Sequence, residues 1–178
     1  NDLKIVHDPG SPLLNWVPIH TALDLGITSI EHAKAPWPYV LKDEYRKEHD
    51  TFIWPDADPE QRMKFMQQMA ELGIASISEK RLKNLSSLMI ANNAVLCPTL
   101  RVFKDWEEED QTGEAEGEIT EEQKSRKKRV TGLIAVSEYF VRMLSANGVK
   151  LLVGQDNNDA VGTLEEITER IKKAIEVA

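Results

Sequence analysis

A chain of 178 residues, of which 41% are hydrophobic, is long enough to bury one core, so a single domain spanning residues 1–178 is expected. The formal net charge of −8 argues against nucleic acid and anionic membrane surfaces as partners, because both would repel the chain. One cysteine, Cys97, excludes an intrachain disulfide and leaves the compartment undetermined. Small molecules and other proteins remain as partners.

The first part of the chain alternates apolar runs with helical patterns. Residues 3–6 predict a strand that ends at His7, followed by a Pro- and Gly-containing loop. A helix of about three turns, capped by Asn15 and ended by Gly26, then leads to a second strand over residues 27–31.

The middle of the chain is dominated by helical signals. A long connection over residues 33–57 has room for a short helix within residues 39–50. A helix capped by Asp58 and ended by Gly73 comes next, and another begins near Ser78.

The last part repeats the alternation of strand and helix. The third strand is predicted over residues 94–100. Thr120 and Gln123 form a capping-box pattern at the start of a long helix, and a fourth strand over residues 149–156 precedes a final helix capped by Thr163. This order predicts a parallel sheet covered by helices, with right-handed connections.

Three of the four predicted strands end in polar side chains: His7, His32 and Asp156. Ligands bind at the carboxyl ends of parallel strands, and imidazole and carboxylate groups are typical ligands of Zn²⁺. A carboxylate beside a metal-bound water can also accept its proton. Each residue alone has an ordinary explanation, as a hydrogen-bonded histidine or a turn-forming aspartate, but their equivalent positions favour a shared site.

The segments around these residues resemble the amidohydrolase superfamily. "ALDLGITSIEHA" is similar to its sixth-strand signature, in which an alanine-rich helix and a glycine precede a strand that ends in Ile-Glu-His. "ANGVKLLVGQD" resembles the eighth-strand segment, where "GTD" is the usual ending and Gln155 here replaces the threonine. "ANNAVLCPTL" resembles the seventh strand of the imidazolonepropionase-like and prolidase-like branch, and "LKIVHD" would be the fifth strand.

The resemblance implies a metal-dependent hydrolase of C–N bonds in amides, cyclic amides or dipeptide-like small molecules. Its fold would be a partial (β/α)₈ TIM barrel, an α/β fold with strands five to eight and their helices. One or two divalent ions, most plausibly zinc, would be held by His7, His32 and Asp156, with Asp156 also accepting a proton from the attacking water.

The same family needs a His-x-His pair on its first strand and a modified lysine or a glutamate on its fourth. A full barrel takes roughly 250 residues. The chain is therefore interpreted as the C-terminal half of such an enzyme, with the N-terminal half as a partner, and we expect the isolated half to be inactive.

Trp37, Tyr39 and Arg101 are candidate substrate-binding residues. The two aromatic side chains could line a pocket or pack the long connection against the barrel rim. Arg101 could bind a substrate carboxylate or lie on the surface. His20 and His49 are interpreted as structural or solvated.

Two other functions fit the same sequence. One is a small, self-contained α/β domain with a doubly wound sheet of four parallel strands, which binds a ligand or a partner without catalysis. The other is a catalytically inactive scaffold descended from the hydrolase, suggested by Gln155. A half-barrel would leave two sheet edges unpaired, so association of copies into a homo-oligomer is also expected.

Overall fold

The computed structural model describes residues 6–7, 18–50, 58–100, 120–153 and 164–176. These residues form a mostly helical α/β fold around an open parallel sheet. Three neighbouring strands of the sheet are β2 (Ser29–Glu31), β3 (Val95–Cys97) and β4 (Lys150–Leu151). At one edge, the two-residue segment β1 (Val6–His7) pairs with β2. The parallel sheet is as predicted, but its strands are shorter: β2 begins at Ser29 rather than at residue 27, β3 ends at Cys97 rather than at residue 100, and β4 ends at Leu151, so residues 152 and 153 do not continue it. Within the described ranges the sheet does not close into a barrel.

Seven α-helices lie in the described ranges: α1 (Ile19–Asp24), α2 (Trp37–Val40), α3 (Asp43–His49), α4 (Pro59–Leu72), α5 (Glu79–Ala91), α6 (Glu121–Ala146) and α7 (Leu164–Glu176). A 3₁₀ turn, Gly73–Ser76, joins α4 to the segment before α5. The helices α2 and α3 confirm that the long connection after β2 is partly helical. None of the described helices has the length and apolar character needed to cross a membrane.

The strands pair in the order β1-β2-β3-β4, which is also their order along the chain. All three pairings are parallel. A doubly wound sheet reverses its strand order part-way across, so this sequential order differs from the doubly wound arrangement considered above.

Three helices begin at the capping residues that the sequence predicts. The Asp58 carboxylate accepts a hydrogen bond from a backbone N–H of the first turn of α4, and the Ser78 hydroxyl does the same for α5. At α6 the Thr120 hydroxyl accepts from the Gln123 N–H at 3.2 Å, while the Gln123 side chain accepts from the Thr120 N–H at 2.8 Å. The full capping box is therefore formed.

The first helix is shorter than predicted. It begins at Ile19 rather than near Asn15, which lies outside the described residues. Pro18 has an extended backbone, with φ −55° and ψ 140°, so the helix cannot include it. The predicted end is correct, because Gly26 adopts a positive φ of 88°.

The core lies between the helices and one face of the sheet. Ile30 and Leu96 are paired across β2 and β3, are fully buried, and belong to the same apolar cluster as the helices. Successive side chains of a strand alternate between faces, so the next pair, Glu31 and Cys97, lies on the opposite face. The sheet therefore presents different chemistry on its two sides.

Helices α4 and α6 cross at Gly132. A Cβ atom at Gly132 would overlap the backbone carbonyl oxygen of Ala70 and lie 2.9 Å from its carbonyl carbon. Ala70 belongs to α4 and is buried, so the overlap involves backbone that cannot rotate away. The crossing therefore requires glycine at this position.

We expect Gly132→Ala to destabilise the fold. Alanine favours a helix over glycine by about 1 kcal/mol, so an uncrowded site would gain stability. Here the backbone overlap should cost more than this gain, since overpacking costs about 1–3 kcal/mol and sometimes more. Urea unfolding of Gly132→Ala and of the exposed neighbour Thr131→Ala as control tests this, and a Gly132→Ala variant more stable than wild type would contradict it.

Candidate functional site

His32 lies immediately after β2, where the chain turns away from the sheet. Its backbone adopts the left-handed conformation, with φ 68°. The His32 N–H donates to the Cys97 carbonyl at 2.9 Å, and the Ala33 N–H donates to the Pro98 carbonyl at 3.0 Å. Pairing with the neighbouring chain segment therefore continues past the end of β2 and positions the imidazole at the carboxyl edge of the sheet.

Thr99 lies at the equivalent place after β3 and meets His32 directly. Its Oγ1 is 2.8 Å from His32 Nδ1, and the residue is only 5% exposed. A hydroxyl can accept a hydrogen bond from a protonated Nδ1 or donate one to an unprotonated Nδ1. This hydrogen bond therefore fixes the orientation of the ring and leaves its tautomer open.

The backbone of Thr99 is also left-handed, with φ 45°. A β-branched residue rarely adopts this conformation, which costs about 1–2 kcal/mol. Two neighbouring strand ends thus carry strained residues whose side chains are bonded to each other. Strain of this kind concentrates at binding and catalytic sites, where the surrounding structure holds it in place.

Glu31 supplies a carboxylate beside this pair. Its Oε1 accepts a hydrogen bond of 2.8 Å from the hydroxyl of Ser29, two residues earlier on the same face of β2. Ser29 is buried and Glu31 is half-buried. The carboxylate is therefore positioned by its own strand.

The described residues contain only part of the predicted metal site. No three His, Cys, Asp or Glu side chains among them come together as a metal-binding group. The backbone of His7 pairs with Ile30, which places β1 directly beside β2. The side chain of His7 and the whole of Asp156 and Arg101 lie outside the described residues, so those assignments stay predictions.

Trp37 lies in the core rather than on an open surface. It is 4% exposed, and its indole Nε1 donates to the Ser76 hydroxyl at 2.9 Å. That hydroxyl donates in turn to the Gly73 carbonyl at 2.7 Å. Trp37 therefore anchors α2 to the 3₁₀ turn.

Tyr39 is half-buried and lines a cavity of about 100 Å³. Its ring centroid is 5.5 Å from that of His20, and the Arg46 guanidinium carbon lies 5.8 Å from it. His49 and Asp50 line the same cavity. His20 and His49, interpreted from the sequence as structural or solvated, thus share the lining of one cavity.

Sequence reasoning gave no role to Ser29 or Thr99. Thr99 stands in the segment "CPTL", but a left-handed threonine has no signature in a single sequence. Ser29 alternates with Glu31 along β2, and that spacing of two is the available signal for their contact.

No protein-family model, curated protein or solved structure matches the chain.

We expect Thr99→Val to destabilise the strand ends. Valine keeps the β-branch and its backbone strain but removes the hydroxyl that pairs with His32 Nδ1, at a cost of about 1 kcal/mol. Thr99→Ser is the matched control, because it keeps the hydroxyl and removes the branch. Urea unfolding should rank valine below serine, and equal stability of the two variants would contradict a structural role for this hydrogen bond.

Proposed function

We propose that this chain is part of a metal-dependent hydrolase of the amidohydrolase type, which cleaves a C–N bond in a small amide, cyclic amide or dipeptide-like substrate. The observation that carries the proposal is the oriented imidazole of His32 at the carboxyl edge of a parallel sheet. Histidines that bind metals are held through their second ring nitrogen by a neighbouring polar group. Thr99 provides that contact here.

The strand order supports a barrel-type architecture for the complete site. Connections between parallel strands are right-handed in nearly all proteins, so a sequential order places successive helices on the same face of the sheet. The (β/α)₈ barrel is built in this way, and its active sites lie at the carboxyl ends of the strands. The helix-packed face that carries Ile30 and the opposite face that carries Glu31 agree with this arrangement.

His7 and Asp156 are the residues that would bind the metal together with His32. The parallel pairing of β1 with β2 supports the choice of His7, because it sets their carboxyl ends side by side. One or two bound zinc ions would supply a polarising charge for the scissile carbonyl and an acidified water. Asp156 would accept the proton of that water. At the end of β2, Glu31 is held by a hydrogen bond from Ser29.

A complete site needs further strands. Within the described residues the sheet is open, with β1 and β4 at its edges. We propose that the first four strands of the barrel pair with these edges and add the remaining ligands. In this arrangement the first four strands would contribute metal ligands and would also pair with the sheet edges.

We expect His32→Gln to weaken Zn²⁺ binding by about tenfold or more, since removal even of a group that orients a ligand costs 10–100-fold. Titration of the chain, together with a polypeptide that supplies the first four strands, against a zinc-binding chelator measures the affinity. His49→Gln is the matched control, because it removes an imidazole from α3 instead of from a strand end. Equal affinity of the wild-type chain and His32→Gln would contradict the proposed ligand.

Activity gives a second test. Together with a polypeptide that supplies the first four strands, the wild-type chain should hydrolyse members of an amide panel in the presence of zinc, and His32→Gln should not. Hydrolysis that survives both chelation and His32→Gln would overturn the proposed function.

A further inference from the structure

The cavity that Tyr39 lines lies between the start of α1, α2 and α3. The cavity measures about 100 Å³, enough for a few water molecules or a small organic ion. Its walls are mostly apolar and include Pro18, Ile19 and Pro38, and the polar residues Arg46, His49 and Asp50 also line it.

His20 lines this cavity, but its Nδ1 does not reach the cavity's open space. Its Nδ1 is buried and has no hydrogen-bond partner within the part of the chain that the structure describes. Leaving a buried polar group unpaired costs about 1–3 kcal/mol, so such atoms in native proteins call for a partner. Because Nδ1 is closed to water, His20 contributes the surface of its ring to the cavity wall and no hydrogen bond to a ligand there.

Arg46 brings a positive charge to the same cavity, and its hydrogen-bonding and ionic contacts to the described residues are long. Its Nη1 is 3.5 Å from the Tyr39 carbonyl oxygen, and its Nε is 3.8 Å from Asp50 Oδ2. A guanidinium carries five N–H donors, so these two contacts leave donors for a further acceptor. The Tyr39 ring, 5.8 Å away, holds the guanidinium by a cation–π contact.

The carboxylate of Asp50 does not satisfy this arginine well. It is 56% exposed and also lies 3.6 Å from His49 Nδ1. Exposed ion pairs are worth little, because water screens both charges. Asp50 lines the same cavity, so a ligand carboxylate would have to displace it from Arg46 to bind in the paired geometry that guanidinium and carboxylate prefer.

We propose that this cavity binds a short-chain aliphatic carboxylate. The carboxylate accepts hydrogen bonds from Arg46, and its alkyl chain lies against Ile19 and the two prolines. The site is separate from the strand-end residues and does not depend on the proposed metal chemistry.

Butyrate is the probe, and ¹H–¹⁵N NMR of the EDTA-treated chain is the measurement. We expect saturable binding, with chemical-shift changes at His20, Tyr39 and Arg46. Arg46→Gln should weaken binding at least tenfold. Arg142→Gln is the matched control, because Arg142 lies 5.5 Å from the ring of Tyr139 in a similar contact elsewhere, and it should leave the affinity unchanged.

Several results would overturn the proposal: no saturable binding of butyrate, equal binding of 1-butanol, tighter binding of inorganic phosphate, or equal loss in Arg46→Gln and Arg142→Gln. If Arg46→Gln does not fold, Arg46→Lys keeps the charge and removes the planar pair of donors. Weaker binding by Arg46→Lys would then support the proposal, and unchanged affinity would overturn it.

Discussion

Hydrogen bonds between β2 and β3 continue past the ends of both strands and bring His32 and Thr99 into contact. Within the strands, residues 29–31 pair with residues 95–97; beyond them, the His32 and Ala33 N–H groups bond to the Cys97 and Pro98 carbonyls. These bonds hold two residues in left-handed conformations that neither side chain favours alone. The positions of His32 and Thr99 at this edge depend on that pairing.

The arrangement of the helices follows from the same sheet. Because the strands pair in chain order, the apolar side chains of one face, such as Ile30 and Leu96, meet the helices. Ser29 and Glu31 are left on the other face, where they bond to each other. The close crossing of α4 and α6 at Gly132 then packs the outer layer. The two faces of the sheet therefore differ: one is apolar and packs against the helices, and the other carries the polar pair Ser29 and Glu31.

Much of the local structure could be predicted from the sequence because its signals are local. A capping aspartate, serine or threonine acts within one turn of its helix, and Asp58, Ser78 and Thr120 all act where their patterns place them. The glycines that end helices are similarly local: Gly26 and Gly73 both have positive φ. The parallel sheet follows from the alternation of apolar strands with amphipathic helices.

The parts that could not be predicted depend on contacts between distant residues. Thr99 and His32 are 67 positions apart, and only the pairing of β2 with β3 brings their side chains together. The same holds for the cavity, where His20 from α1 meets Tyr39 from α2 and Arg46 from α3. The predicted third strand ends early, at Cys97, and Thr99, two residues later, has a left-handed backbone.

The central claim, that His32 is a metal ligand oriented by Thr99, can be tested at the level of single ring nitrogens. The chain has four histidines, so a long-range ¹H–¹⁵N spectrum can resolve their rings before and after addition of Zn²⁺. The account predicts that the Nε2 resonance of His32 shifts on metal binding while Nδ1 keeps its bond to Thr99. Zinc binding that leaves both ring nitrogens of His32 unchanged and shifts only other histidines would contradict it.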